Sequence, residues 1–243
     1  MRSRAVLFLA LLSLCACKPS EESQAKAIIG AILIDGQGGP PLSDSTVVIA
    51  NGRILAAGPR TAVDIDPQAS RIDGAGKYIV PGLVDVSAGR GIPHIATQAQ
   101  AEAQVTSGAK VLIGMVRGTK DLDENFVTSL RDLRVTVAPA LSTLPPGSSE
   151  LAAASANTHT LFSAGVPIAV AAEGHDLVHE CELLVEAGVP PLDAIVAATH
   201  NGAVALQQDA LRGTVQPGKQ ADILLLSANP GDDIGNLRKT VRY

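Results

Sequence analysis

The sequence predicts an α/β protein in which a β-rich N-terminal segment precedes about four βα units. Three observations support this fold class. Asn51-Gly52 stands between two apolar runs, which is a strong β-hairpin signal. From Val80 onward, short apolar runs alternate with helical patterns, which is typical of parallel strands joined by helical crossovers. Residues 207–243 then return to turns and strand-like runs, which we expect to rejoin the N-terminal strands.

The first residues have the features of an export signal. Two arginines precede an apolar run at residues 5–14, which is too short to span a bilayer as a helix. The following "LCAC" resembles a bacterial lipobox, whose last Cys receives acyl chains. We therefore predict a signal peptide over residues 1–16, lipidation of Cys17 and a polar tether over residues 17–26. Secretion without a lipid anchor is the alternative.

The rest of the chain divides by its pattern into two parts. Residues 27–79 contain short β-type segments broken by turns, and together with residues 207–243 they predict a small β-sandwich subdomain. Residues 80–206 contain the alternating strand-like and helical runs. A complete (β/α)₈ barrel needs roughly 200 residues or more. We therefore predict a shortened TIM-like βα barrel of about four units for this second part.

Composition and charge exclude several classes of protein. The hydrophobic fraction is 46% and the charged fraction 18%, which suits a folded globular chain. The formal net charge is -5 and no run of basic residues is present, so nucleic acid is not expected as a partner. Cys181 is the only cysteine after the predicted signal region and lies in an apolar pattern. No intrachain disulfide is then possible, and we expect an inert buried thiol.

Several segments stand in an order that resembles a known family. "IDGAGKYIVPGLVDVSAG" is similar to a passage into a first barrel strand, and "LFSAGVPIAVAAEG" to the approach to a last strand. "LRGTVQPGKQADILLLSANP" is similar to a strand that returns to a sandwich. Together they resemble the amidohydrolase superfamily, on its imidazolonepropionase-like and prolidase-like branch. The resemblance implies metal-dependent hydrolysis of C–N bonds in amides, cyclic amides or dipeptides.

The same resemblance indicates where metal ligands would stand, and different residues are found there. The two His positions after the first strand hold Ser87 and Gly89, the sixth-strand His position holds Gly114, and the last-strand Asp position holds Glu173. Segments similar to strands two to five are missing. We therefore expect no metal or other cofactor and predict impaired hydrolysis. Glu173 remains the candidate catalytic acid or base.

A second hypothesis is a relocated metal site in "EGHDLVHE". If a helix starts near His175, then His175 and His179 are separated by one turn and face the same side. With Glu173 they would form a chemically sensible Zn²⁺ site. The simpler interpretation is a solvated helix start, with Asp176 at the positive end of the helix dipole. His94 could overhang the same mouth, although a loop histidine without a function is the simpler expectation.

These observations lead to one main functional hypothesis and two alternatives. The main hypothesis is a catalytically impaired amidohydrolase homologue that acts as a binding or scaffold protein. The alternatives are an active, reduced hydrolase with a metal at Glu173, His175 and His179, and a decayed, truncated gene product. The expected partners are a membrane surface, contacted through the lipid anchor, and a second copy or a full-length hydrolase that covers open sheet edges. Lys18 after the predicted anchor favours the periplasm-facing side of the outer membrane in a Gram-negative bacterium.

Overall fold

The computed structural model describes residues 25–114 and 122–242 and shows an α/β fold with a mixed sheet. The predicted signal peptide and Cys17 lie outside these residues. The strands are β1 (Lys26–Leu33), β2 (Leu42–Ala50), β3 (Arg53–Pro59), β4 (Ser70–Asp73), β5 (Tyr78–Pro81), β6 (Val111–Ile113), β7 (Thr136–Ala138) and β8 (Ile223–Leu226). The α-helices are α1 (Gln98–Thr106), α2 (Glu124–Asp132), α3 (Ser149–Ser163), α4 (Leu177–Glu186), α5 (Pro191–Val196) and α6 (Gly202–Ala205).

The mixed sheet has the strand order β3-β2-β1-β5-β8, and β4 also pairs with β1. The pairs β1–β2, β2–β3 and β5–β8 are antiparallel, whereas β4 and β5 run parallel to β1. The return of the C-terminal segment to the N-terminal strands is therefore confirmed. Buried Ile28, Val47, Ile54, Ile79 and Leu225 form the apolar core of this sheet.

The hairpin predicted at Asn51-Gly52 is also confirmed. Ala50 pairs with Arg53, so that Asn51 and Gly52 are the two residues of the turn. Both have a positive φ, 51° and 70° respectively. A two-residue type I′ turn requires this backbone, and Asn-Gly adopts it at little cost because Gly has no Cβ and Asn tolerates the left-handed region.

A second group of short parallel segments, which we call the β6–β7 layer, stands apart from the mixed sheet. β6 and β7 pair in parallel. Residues 93–95 bridge in parallel to β6, and residues 167–170 bridge in parallel to β7. Residues 84–86 join the far side of residues 167–170 through the Val86 N–H, which donates to the Val170 carbonyl at 2.9 Å.

The layer differs in two details from the sequence interpretation. Residues 93–95 were not assigned to a strand, because three residues are too few to show a period. The passage "IDGAGKYIVPGLVDVSAG", which resembles the lead into a first barrel strand, divides into β5 in the mixed sheet and residues 84–86 in the layer. The division falls at Gly82, whose N–H donates to the Asp222 carbonyl beside β8.

Helices and layer share the largest apolar core. Leu112, Leu130, Leu161, Leu184 and Ile195 are fully buried in it. Burying one such side chain is worth about 1.5–3 kcal/mol, so this cluster holds the short segments of the layer in place. Among the residues that the structure describes, no helix is both long and apolar enough to cross a membrane.

Candidate functional site at the carboxyl ends of the layer

A hydrogen-bonded network begins at Asp85, where the first segment of the layer ends. Its Oδ1 accepts from the backbone N–H of Ser87 at 2.9 Å and from the Ser87 hydroxyl at 2.7 Å. The same oxygen accepts from the Ala172 N–H at 3.2 Å, across to the segment that ends at Glu173. Asp85 thus ties two neighbouring strand ends together and caps the 3₁₀ turn Val86–Ala88.

Glu173 is held at the same rim from both its backbone and its side chain. Its N–H donates to the Ser87 hydroxyl oxygen at 3.3 Å. Its Oε1 lies 2.9 Å from Nδ1 of His94. The φ of Glu173 is 49°, a left-handed backbone that is uncommon for a residue other than Gly and is often seen at functional positions. The structure thus gives His94 a specific partner at this rim.

The three residues of the relocated-metal hypothesis do not come together. His175 precedes the helix, because Asp176 is the N-cap and Leu177 the first residue of α4, so the expected one-turn spacing on a helix face is wrong. His179 instead contacts Glu182, with Nδ1 at 3.2 Å from Oε2. Within residues 25–114 and 122–242, no group of three or more His, Cys, Asp and Glu side chains could hold a metal ion.

The ligand-like positions Gly114 and Gly89 differ in the space that surrounds them. Gly114 has a φ of 96°, and an added Cβ would lie 2.4 Å from the Ile95 carbonyl oxygen. An added Cβ at Gly89 would lie 2.6 Å from side-chain atoms of both Ile92 and Leu206. Real Cβ atoms do not approach backbone oxygens so closely, and a left-handed backbone strains any residue with a Cβ. A side chain at Gly114 therefore requires the backbone to shift, whereas at Gly89, whose φ is -73°, only the tips of the Ile92 and Leu206 side chains would have to move. As they stand, neither glycine offers a ligand atom to a metal ion.

Glu180 is a polar residue of this region that sequence reasoning missed. It is completely buried on α4, and its two oxygens accept from the N–H groups of Leu141 and Ser142, each at 2.7 Å. These donors open the 3₁₀ turn that follows β7, after Ala140 with a φ of 54°. Burial raises the pKa of the Glu180 carboxyl, and the hydrogen bonds with Ser142 and Leu141 oppose that rise. The sequence signal that could have identified Glu180 is a glutamate within an otherwise apolar helical pattern.

An ionic cluster fixes the start of α4 to the C-terminal segment. Asp176 caps the helix by accepting from the Val178 N–H at 2.9 Å. Arg238 donates to Asp176, with Nε 3.1 Å from Oδ2, and also pairs with Glu182. The Arg238 hydrogen bonds lower the pKa of both carboxyls, and they raise the pKa of the guanidinium. The interpretation of this stretch as a polar helix start with Asp176 at the positive end is confirmed.

The remaining candidates have structural surroundings. Cys181 is buried, and burial raises the pKa of its thiol to about 12, as expected for an inert cysteine. His159 lies on the exposed face of α3, with Nε2 3.5 Å from the Ser163 hydroxyl. His200 lies in the π-helical turn Ala197–Asn201, and its Nδ1 is buried without a hydrogen-bond partner among the described residues.

Comparison with known proteins places the chain in a family. The profile of the "Amidohydrolase family" matches residues 91–241, which is more than half of the chain. The protein therefore belongs to the amidohydrolase family. No match was found among curated protein sequences.

Solved structures of hydrolases share the fold. A molinate hydrolase matches with a TM-score of 0.76 and 15% identity, over 90% of this chain and 93% of that one. An ochratoxinase of A. niger matches with a TM-score of 0.73 and 14% identity, over 91% and 94% of the two chains. A putative prolidase from Bifidobacterium longum matches with a TM-score of 0.65 and 19% identity, over 89% and 92%. At such low identity these similarities establish the fold alone.

Proposed function

We propose that this amidohydrolase-family protein is catalytically impaired and acts as a binding or scaffold protein. Its ancestral reaction is metal-dependent hydrolysis of C–N bonds in amides, cyclic amides or dipeptides. The observation that carries the proposal is the backbone at Gly114. The position that resembles a ligand histidine has a φ of 96° and the Ile95 carbonyl directly in the path of any Cβ. Restoring a histidine there would strain the left-handed backbone and would push the Ile95 carbonyl aside.

The polar groups at the rim support the same proposal. Asp85 already accepts three hydrogen bonds from Ser87 and Ala172. Glu173 is paired with His94 and aligned by Ser87. These contacts join strand ends that a metal ion would otherwise hold together. The network thus stabilises the rim and leaves Glu173, paired with the more exposed His94, as its candidate acid or base.

Metal content of the full chain, purified without chelators, tests the proposal. Elemental analysis is expected to find zinc well below one equivalent in a protein that unfolds cooperatively. A panel of amides, cyclic amides and dipeptides is expected to show no turnover above the blank. One equivalent of zinc that is lost in His175→Ala/His179→Ala, but kept in the surface control His159→Ala, would instead establish the relocated-metal hydrolase.

The alternative of a decayed gene product predicts a different unfolding curve. The described residues contain three buried apolar clusters, and the largest spans the layer and its helices. A chain with such clusters is expected to unfold in one cooperative urea transition. A gradual, non-cooperative loss of circular dichroism would favour the decayed product and would contradict a scaffold role.

We further propose that the chain is a lipoprotein anchored through Cys17 and facing the periplasm, in the outer membrane of a Gram-negative bacterium. The "LCAC" stretch and Lys18 support this proposal. Mass spectrometry of the expressed protein is expected to show a diacylated N-terminus at Cys17. In the Cys17→Ser variant the acyl mass should be absent and the protein should leave the detergent phase. An unmodified wild-type chain would indicate plain secretion.

A second copy of the chain, or a full-length hydrolase, is the protein partner that we propose. Residues 93–95 hydrogen-bond to β6, and no other described segment pairs with them in a ladder. Such an edge accepts a further strand. Sedimentation velocity of the Cys17→Ser chain is expected to show a concentration-dependent dimer. A monomer at all concentrations would leave the full-length hydrolase as the partner to be tested.

A further inference from the structure

The amino ends of the β6–β7 layer surround a cleft that contains none of Asp85, Ser87, His94 and Glu173, although Gly89 lines it. Its volume is about 800 Å³, and it opens between residues 88–93, the segment entering β6, the loop before β7, and residues 204–212. Its charged lining residues are Arg90, Lys110, Arg134 and Arg212, and none of the described residues that line it is acidic. Four cations therefore face one cleft of a chain whose net charge is -5.

The four cationic side chains of the cleft are not neutralised by ion pairs with described carboxylates. Lys110 donates to the Leu133 carbonyl at 3.1 Å, and Arg212 donates to the Gln208 amide oxygen at 2.7 Å. Within the described part of the chain, neither Arg90 nor Arg134 forms an ion pair. Arg238, by contrast, is paired with the carboxylates of Asp176 and Glu182. Uncompensated positive charge in a concave site attracts anions.

Exposed apolar side chains lie in, or next to, the chain segments that line the cleft. The large hydrophobic residues that are exposed in the described chain are Leu55, Leu133, Val204 and Leu211, at 56%, 47%, 43% and 45%. Val204 lines the cleft, whereas Leu133 and Leu211 directly precede two of its cations, Arg134 and Arg212. Leu55, on β3, is neither in nor next to a segment that lines the cleft. Exposed apolar residues next to unpaired cations are typical of surfaces that meet an anionic lipid bilayer.

We propose that this cleft binds the phosphate head group of an anionic membrane lipid, with Leu133, Val204 and Leu211 meeting the acyl boundary. The cations supply attraction to phosphate, because guanidinium groups match phosphate oxygens geometrically. The apolar residues supply the hydrophobic contact that a soluble phosphate compound would not need. This contact is separate from a lipid anchor at Cys17 and independent of any hydrolysis. It would orient the domain on the membrane surface.

Vesicle flotation with the full chain carrying Cys17→Ser tests the proposal. All variants keep residues 5–14, so any attachment through that run contributes equally to each of them. Comparing phosphatidylglycerol with phosphatidylcholine vesicles then isolates the part of the binding that depends on an anionic head group. Each basic residue near an anionic surface contributes about 1 kcal/mol, so Arg90→Gln/Arg134→Gln is expected to weaken the affinity for phosphatidylglycerol about 30-fold. The control Arg60→Gln/Arg71→Gln removes the same charge from the mixed sheet and should change it less than about threefold.

Two further arms separate the lipid surface from a soluble ligand and from simple misfolding. Leu133→Ser/Leu211→Ser should weaken vesicle binding while leaving all four cations in place. Excess glycerol phosphate should not displace the protein. The proposal would be overturned if the control Arg60→Gln/Arg71→Gln weakened vesicle binding as much as Arg90→Gln/Arg134→Gln does. Displacement of the protein by glycerol phosphate would also overturn it. Each variant is also melted, and because the exchanged side chains are exposed, an unchanged melting temperature is expected.

Discussion

The exchange Gly114→Ala tests whether the fold has closed the position of a metal ligand. Placing a Cβ on a left-handed backbone costs about 1–2 kcal/mol. At Gly114 the Cβ would also lie 2.4 Å from the Ile95 carbonyl oxygen, which must move, and such overpacking costs about 1–3 kcal/mol more. We therefore expect Gly114→Ala to lower the free energy of unfolding by about 2–5 kcal/mol.

Gly108 provides a matched control for this exchange. Its φ is 97°, against 96° at Gly114, but nothing lies within 4 Å of the added Cβ. Gly108→Ala should therefore cost only the backbone strain, about 1–2 kcal/mol. Urea unfolding of both variants measures the difference, which should also separate their melting temperatures by at least about 2–4 °C. Equal destabilisation would show that the Ile95 carbonyl yields freely, and the argument that the position is closed would be wrong.

Three further predictions concern the helix α4 and its contacts. Glu180→Gln should cost about 1–3 kcal/mol near pH 4, because an amide can accept only one of the two backbone N–H groups that the carboxyl accepts. Because the folded-state pKa of Glu180 is raised, the wild type loses stability as the pH rises through that pKa. The difference in unfolding free energy between wild type and Glu180→Gln should therefore shrink as the pH rises. Urea unfolding at several pH values measures this difference, and a difference that grows with pH would refute the prediction. Arg238→Ala should lower the free energy of unfolding by about 1 kcal/mol at neutral pH. This loss should vanish as the pH falls through the lowered pKa values of its two carboxyl partners. A loss that stays constant down to pH 2 would contradict the ion pairs. Cys181 should react with a thiol reagent only on unfolding, so labelling of the native protein on the same timescale as a urea-unfolded sample would contradict its burial.

Local chemistry explains which parts of the fold could be predicted. Asn51-Gly52 encodes its turn within two residues, and the strand β8 has a strongly apolar run, so both could be identified from the sequence. Residues 93–95 could not, because a three-residue segment acquires its strand geometry only from pairing with β6. The same holds for the division of the run around Gly82, which depends on a hydrogen bond to distant Asp222.

The candidate site was predictable as a position but not as a set of contacts. Glu173 could be placed at the rim because it ends the last segment of the layer. Its partner His94 is far away in the chain, and only the parallel bridge of residues 93–95 to β6 brings the two together. Glu180 was missed for a similar reason, since its backbone partners in the turn after β7 lie 38 and 39 residues earlier. Sequence patterns report burial and period, whereas these contacts depend on tertiary folding.

The two ends of the layer differ in how far their polar groups are satisfied, and this difference decides where a ligand is expected. At the carboxyl ends, Asp85, Ser87, Glu173 and His94 bond to one another or to backbone. A ligand there must compete with these existing hydrogen bonds, which reduces its net gain in free energy. At the amino ends, Arg90 and Arg134 have no anionic partner among the described residues. An anion binding there gains electrostatic attraction without breaking an ion pair, so anion binding should concentrate at the amino ends of the layer.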